Sequence, residues 1–216
     1  LGRRDSQERC TQPPPGSGAT VGFNNDVCLK IVDAVKTKLA LPKLEVRYVT
    51  LTSTNRIPLL QNGTVDLDCA TTTNTTQRQQ QVAFAPSHFV TNITAVVKAN
   101  SGINSLVELN GKLVASVSGS TAIQLLRVYR KTDNVEVQGI YGKDTAEAFL
   151  LLASDKAVAY VLDDVQLAGL VATSPRPAAY RILSKESLRQ QPYGLMYRKG
   201  DLQVKYLVDR TVPGRV

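Results

Sequence analysis

The chain has 216 residues, 43% of them hydrophobic and 20% charged, an ordinary balance for a globular protein and enough to bury a core as one large domain or two smaller lobes. No apolar run reaches the roughly 20 residues of a membrane span. The net charge of +8 raises nucleic-acid binding, but the Lys and Arg residues are scattered, densest at Arg127, Arg130 and Lys131. No nucleic-acid motif accompanies them, so the expectation is no nucleic-acid partner and a solvated basic surface suited to attract acidic metabolites.

Along the chain, residues 1–20 carry few apolar residues and no periodicity, and Arg9 to Gly18, with Pro13-Pro14-Pro15, reads as a loop. Leu1-Gly2-Arg3-Arg4 has no hydrophobic stretch behind its charges, so a leader is expected to have been removed, or the chain is a fragment. Asn25 and Asp26 can cap a helix in which Val27, Ile31, Val35 and Leu39 recur every fourth residue, with Pro42 beyond its end. Leu44 to Val49 reads as a strand, Asn55 to Asn62 as a short helix closed by Gly63, Val65 to Ala70 as a strand and Thr75 to Gln81 as a helical start. Phe89 to Lys98 is a long strand.

A second block opens near Ser101. Leu113 to Val117 is a strand, and Ser118-Gly119-Ser120-Thr121 a tight loop into a helix presenting Ala122, Leu125, Leu126 and Tyr129. Val135-Glu136-Val137 reads as a strand, Thr145 to Ala153 as a core helix, Ala157 to Leu162 as a buried strand ending at Asp163-Asp164, Asp164 to Val171 as a helix and Tyr180 to Leu183 as a strand. Tyr193 to Tyr197 is a strand able to return to the first block. Strands alternating with helices twice over predict α/β architecture in two lobes with parallel sheets, whose ligands sit at the carboxyl ends of strands.

Cys10, Cys28 and Cys69 lack metal-ligand spacing, and His88 is the single histidine. A zinc site and a His-dependent triad are therefore not expected, and no cofactor is implied. A Cys10–Cys28 disulfide is open, with Cys69 read as a buried free thiol. The sequons at Asn62, Asn74 and Asn92 read as chance, and Tyr141, Tyr160 and Tyr193 as core or hinge residues.

The most informative stretch is Thr50 to Arg78. It holds two arginines, Arg56 and Arg78, each at the start of a short helix, with the hydroxyl run Thr71-Thr72-Thr73 ahead of the second. Free N–H groups, short hydroxyl donors and a guanidinium able to clamp a carboxylate through two parallel hydrogen bonds are anion-binding chemistry. Two such clamps suit a ligand with two carboxylates.

These residues resemble a known family. Thr54-Asn55-Arg56-Ile57-Pro58-Leu59-Leu60-Gln61-Asn62-Gly63 and Cys69-Ala70-Thr71-Thr72-Thr73-Asn74 resemble the periplasmic glutamate/aspartate-binding proteins of ABC transporters, and Leu109 to Val114, Ser118 to Thr121, Lys143-Asp144, Ala157 to Asp164 and Tyr193 to Lys199 continue the likeness. It covers about residues 20–205. It implies a two-lobed type II periplasmic-binding-protein fold with two crossing hinge strands, near 89–97 and 191–197. Lobe one would be residues 1–92 with 193–216, and lobe two 95–190. It implies no enzyme but a periplasmic solute receptor, expected to be a monomer, that delivers glutamate or aspartate to a membrane permease.

Position by position, the resemblance implies that Arg78, with Thr71 and Thr73, holds the α-carboxylate, helped by Thr121, and that Asp163 accepts the α-ammonium. Arg56, supported by Ser53, and Arg4 would hold the side-chain carboxylate. Thr145 stands where the family often places a histidine on that carboxylate, and can donate a hydrogen bond without carrying charge. Thr72 is read as structural. Residues 7–20 depart from the family's aromatic-bearing strand and turn. Two alternatives remain at this level: a dehydratase-like enzyme on the same fold, for which Asp163, Asp144 and Glu147 are the acid–base candidates, and a ligand-sensing domain of a receptor.

Overall fold

The computed structural model describes residues 2–3 and 22–212. In chain order the elements are β1 (Gly2–Arg3), α1 (Phe23–Leu39), β2 (Val49–Thr50), α2 (Arg56–Gln61), β3 (Leu67–Asp68), α3 (Thr76–Gln79), β4 (Ala83–Phe84), β5 (Phe89–Lys98), β6 (Leu113–Val117), α4 (Thr121–Asp133), β7 (Gln138–Gly142), α5 (Thr145–Ala153), β8 (Ala159–Asp163), α6 (Asp164–Thr173), β9 (Tyr180–Ile182), β10 (Arg189–Tyr193), β11 (Met196–Tyr197) and α7 (Leu202–Thr211). The chain divides into two units, Leu1–Val90 with Pro192–Val216, and Thr91–Gln191. It leaves the first unit within β5 and re-enters it within β10.

The first unit is a five-stranded sheet ordered β2-β1-β3-β11-β4. β1 runs parallel to β2 and β3, while β11 is antiparallel to β3 and β4, Met196 lying opposite both Asp68 and Phe84. One core joins Cys28 and Ile31 of α1 to Leu67, Leu195, Tyr197 and, from the last helix, Val208. A second joins Leu60 of α2 to Leu51, Val65, Val82 and Met196. Leu195 and Tyr197 fall in one core and Met196 in the other, the alternation a strand imposes on its side chains.

In α1, Asp26 lies in the first turn and Lys36 and Lys38 in the last, matching the helix dipole, and Ala40 closes the helix in the left-handed conformation at φ 53°. The helix begins earlier than its sequence suggests: Gly22 is the N-cap, and Asn25 and Asp26 lie inside. The two asparagines are buried and used in tertiary contacts instead. Asn24 Oδ1 pairs with His88 Nε2 at 2.9 Å, and Asn25 Oδ1 accepts the Tyr48 hydroxyl at 2.9 Å.

The cysteine reading is corrected. Cys69 is not a free thiol: it is bonded to Cys28, with Cα atoms 5.9 Å apart. α1 packs on the face of the sheet that Leu67 and Cys69 share, which brings the two sulfurs together across 41 residues of chain. Cys10 lies outside the described residues.

The second unit contains the longer strands. Its sheet runs β10-β5-β8-β6-β7, with β9 also on β5. β6 is parallel to β7 and β8, while β5 is antiparallel to β8 and β9. Ile93, Ala95, Val97, Val114, Ala159 and Val161 face one core with Ala122 and Leu126 of α4. Val96, Ala115, Val117, Tyr160 and Leu162 face the other, with Ala148 and Leu152 of α5 and Leu167 of α6. Both faces of β5, β6 and β8 are thus buried over most of their length, so these strands read as largely apolar runs rather than alternating ones.

Several short elements differ from their expected bounds. Residues 44–48 are not strand, and pairing there is limited to β2. The strand expected at Val135 to Val137 lies three residues later, because Leu113 of β6 pairs with Gln138; Val135 is buried without joining the ladder. The strand expected over Tyr193 to Tyr197 is two, interrupted at Gly194 and Leu195. Tyr160 and Tyr193 are buried, but Tyr141 is 44% exposed at the end of β7, not core. α7 has no counterpart in the sequence reading, though Asp201 accepts from the backbone N–H groups of Gln203 and Val204 as an N-cap acid does, and Val204, Val208 and Val212 share its inner face.

Candidate functional site

In the first unit the polar stretch folds into a buried hydrogen-bonded group. Residues 52–55 form a tight turn in which Asn55 Oδ1 accepts Thr52 N–H at 2.7 Å and Thr52 Oγ1 accepts Asn55 N–H at 3.2 Å. The turn leads directly into α2, with Arg56 as its first residue and Ser53 three residues before it, and Leu60 anchors the helix fully buried in the core.

Arg56 is only 2% exposed, an unusual position for a guanidinium unless it is compensated. Its Nη1 donates to Thr72 Oγ1 at 2.5 Å, and Thr72 in turn donates to Asp68 Oδ2 at 2.8 Å. Thr72 and Asp68 are fully buried. Arg56 Nε and Ser53 Oγ are buried with no hydrogen-bond partner among the described residues.

Thr71, Thr72 and Thr73 follow β3 and are all buried. Gly194 N–H donates to the Thr72 carbonyl at 3.0 Å, and Thr73 bridges Tyr193. Arg78 sits in α3, where Thr75 Oγ1 accepts its N–H at 3.2 Å as the helix cap, and its Nη1 donates to the Thr73 carbonyl at 2.8 Å. The structure therefore brings Arg56 and Thr72 into contact, and Arg78 and Thr73 into contact, within one loop system. Arg4 lies outside the described residues. Nearby, His88 is buried beside Asn24 and the Phe23 ring, whose centroid is 5.7 Å away, and burial pushes its pKa below the usual 6.5 against a smaller offset from Pro86.

In the second unit, Thr121, Thr145 and Asp163 follow or end three adjacent parallel strands, β6, β7 and β8. Thr121 is the first residue of α4, Thr145 the first of α5, and Asp163 the last of β8 and N-cap of α6. All three are under 9% exposed. Parallel strands ending together bring three helix N-termini, with their positive ends and free N–H groups, to one edge of the sheet. Asp144 caps α5 by accepting Glu147 N–H at 2.8 Å, and Glu147 returns to Lys143 N–H at 2.8 Å, so both acids serve as caps. The side chain of Asp163 does not cap α6; its Oδ2 accepts Gln166 Nε2 at 2.7 Å.

Asp68 and Gln166 are the polar residues that sequence reading passed over. Gln166 carried a signal, an amide three residues beyond an N-cap acid. Asp68 carried little, since Val65 to Cys69 is a plain strand pattern in which burial of the acid depends on tertiary neighbours. Among the described residues no group of His, Cys, Asp and Glu is placed to hold a metal ion, and no helix is long and apolar enough to cross a membrane.

The sequence model of bacterial extracellular solute-binding proteins, family 3, matches residues 11–212. The L-glutamate/L-aspartate-binding protein of Pseudomonas aeruginosa is 37% identical over 212 residues, covering 98% of this chain and 70% of that protein. The glutamate/aspartate import solute-binding protein of Escherichia coli K12 is 40% identical over 192 residues, covering 89% of this chain and 63% of that protein. The chain thus spans about two thirds of the length of these relatives. Among solved structures, an ancestral arginine-binding protein bound to arginine superposes with a TM-score of 0.81 at 26% identity, covering 98% of this chain and 88% of that one. An ABC-transporter periplasmic binding protein from Brucella ovis with glutathione bound gives 0.86 at 25% identity, covering 97% and 65%. These relatives are solute-binding proteins, not enzymes, and the architecture is the two-lobed α/β fold of type II periplasmic binding proteins. The chain belongs to family 3 of the bacterial extracellular solute-binding proteins.

Proposed function

We propose that the chain is an extracytoplasmic receptor, working in the periplasm, that binds L-glutamate or L-aspartate and delivers it to the membrane permease of an ABC transporter. The observation that carries this reading is Arg56: a guanidinium 2% exposed whose Nε has no partner among the described residues. A buried donor of that kind is costly unless a ligand completes it. Glutamate brings two carboxylates and one ammonium and so calls for two cationic clamps and one acid. Arg78, with Thr71 and Thr73, takes the α-carboxylate, with Thr121 as a further donor; Asp163 takes the ammonium; Arg56, with Ser53, Thr145 and Arg4, takes the side-chain carboxylate. The passages of chain through β5 and β10 act as the hinge.

The similarity to proteins described as glutamate- and aspartate-binding supports the ligand class. Isothermal titration of the folded chain with glutamate, aspartate, glutamine and arginine tests it. Binding of the two acidic amino acids at least tenfold tighter than the other two is expected. A folded chain that binds neither acidic amino acid would contradict the reading.

A further inference from the structure

We infer that Thr72 and Asp68 are positioning residues for Arg56: a buried relay that pins the guanidinium and so sets the preference for a ligand with a second carboxylate. The selectivity part rests on the proposed function; the pinning does not.

Proton bookkeeping fixes the direction of the relay. A guanidinium only donates, so in the 2.5 Å contact Arg56 is the donor and Thr72 the acceptor. Thr72 has a single hydroxyl proton, and it goes to Asp68 Oδ2 at 2.8 Å. Asp68 accepts a second bond at Oδ1 from Ala70 N–H at 3.1 Å. The Thr72 proton is therefore committed, and Thr72 acts through Arg56 rather than by donating to a ligand.

The relay is anchored at its far end. Asp68 lies on β3, the middle strand of its sheet, with Gly2 and Met196 opposite it on either side. Thr72 is held by the Gly194 N–H on its carbonyl. All three side chains are at most 2% exposed, so the carboxylate one hydroxyl away is what offsets the burial of the guanidinium charge. Arg56 is fixed through Nη1 while Nε, on another edge of the same plane, has no partner among the described residues. Pinning one edge aims the other.

Thr72→Val keeps the shape of the side chain and removes both hydrogen bonds. A hydrogen bond to a charged group corresponds to about tenfold or more in affinity, so Thr72→Val should weaken L-glutamate by at least about tenfold and leave L-glutamine within about twofold. Thr72→Ser should restore the wild-type ratio. If Thr72→Val does not fold, Asp68→Asn carries the same test. The Arg56 guanidinium NMR signal, slow in hydrogen exchange in the wild type and in Thr72→Ser, should broaden or vanish in the disrupted variant without any ligand. Equal loss for both amino acids, an unchanged ratio, or an Arg56 signal indifferent to the substitution would overturn the inference. Binding of no acidic amino acid with Arg56 still pinned would remove the functional reading and leave the pinning intact.

Discussion

Removing the Cys28–Cys69 bond should cost the chain a large part of its stability. The bond closes a loop across a sequence separation of 41. The loop-entropy relation gives about 13 cal/mol/K for that length, or about 4 kcal/mol at 25 °C, set against a total stability of about 5–15 kcal/mol for a folded domain. The bond also joins α1 to the residue that opens the run Ala70 to Thr73, so its loss loosens the segment carrying the hydroxyls beside both arginines. The substitution to make is Cys28→Ala with Cys69→Ala, since a serine pair would bury two hydroxyls in an apolar core. The chain has no tryptophan, so urea unfolding is followed by circular dichroism, comparing the oxidised wild type, the reduced wild type and the double variant. Both altered forms should lose about 2–5 kcal/mol. A loss under about 1 kcal/mol in both, or a denatured oxidised chain in which reduction releases no additional thiols, would refute the reasoning.

Three further expectations follow from individual residues. Burial holds the His88 pKa below 6.5, so the native state binds fewer protons than the unfolded chain between the two values; stability present above pH 6.5 should fall as the pH drops toward the lowered pKa, and His88→Gln should remove that extra acid sensitivity in urea titrations at pH 7.5 and 5.5. A Cβ on Gly142 would lie 2.5 Å from the backbone nitrogen of Ala148 and 2.9 Å from its Cα; because backbone cannot yield as a side-chain tip does, Gly142→Ala should destabilise by about 1–3 kcal/mol or more in thermal unfolding. Asp163→Asn should weaken glutamate, aspartate and glutamine alike, by about 30-fold or more if a buried charge pair with the ammonium is lost, and a ligand-dependent pattern in titration calorimetry would count against its role.

Most of the longer elements were legible in the sequence, the ten-residue α7 excepted, whereas the bounds of the two-residue strands were not. β5, β6 and α5 have their expected bounds because their patterns run for five to ten residues and both faces or one helical stripe must be buried. β2, β3, β4 and β11 are two residues long, and nothing local distinguishes two paired residues from two extended ones. β7 was displaced because its register belongs to β6: Gln138 and Gly139 have poor strand propensity and pair because Leu113 and Val114 lie beside them. Asn25 looks like a cap locally and is instead used by Tyr48, a contact 23 residues away, as its neighbour Asn24 is used by His88, 64 residues away. The cysteine pairing is invisible for the same reason.

For the candidate site, residue types and their neighbourhoods could be read, but their partners could not. Arg56, Arg78 and the threonine run stood out as anion chemistry, and the structure places Arg56 with Thr72 and Arg78 with Thr73. Neither the burial of Arg56 nor the acid behind it follows from the Thr54 to Gly63 string. Both depend on where β3 and the Ala70 to Thr73 run lie in the folded unit. In the second unit, strand–helix alternation was enough to put Thr121, Thr145 and Asp163 at strand ends; that Asp163 meets Gln166 instead of capping its own helix was not.

The most direct test of the account is the ratio of glutamate to glutamine affinity in Arg56→Ala against the wild type, with Arg78→Ala as the paired measurement. If Arg56 reads the side-chain carboxylate, the ratio collapses by about tenfold or more while glutamine binding is retained, and Arg78→Ala abolishes both. Equal, small effects of the two substitutions on both ligands would contradict the division of labour on which the account rests.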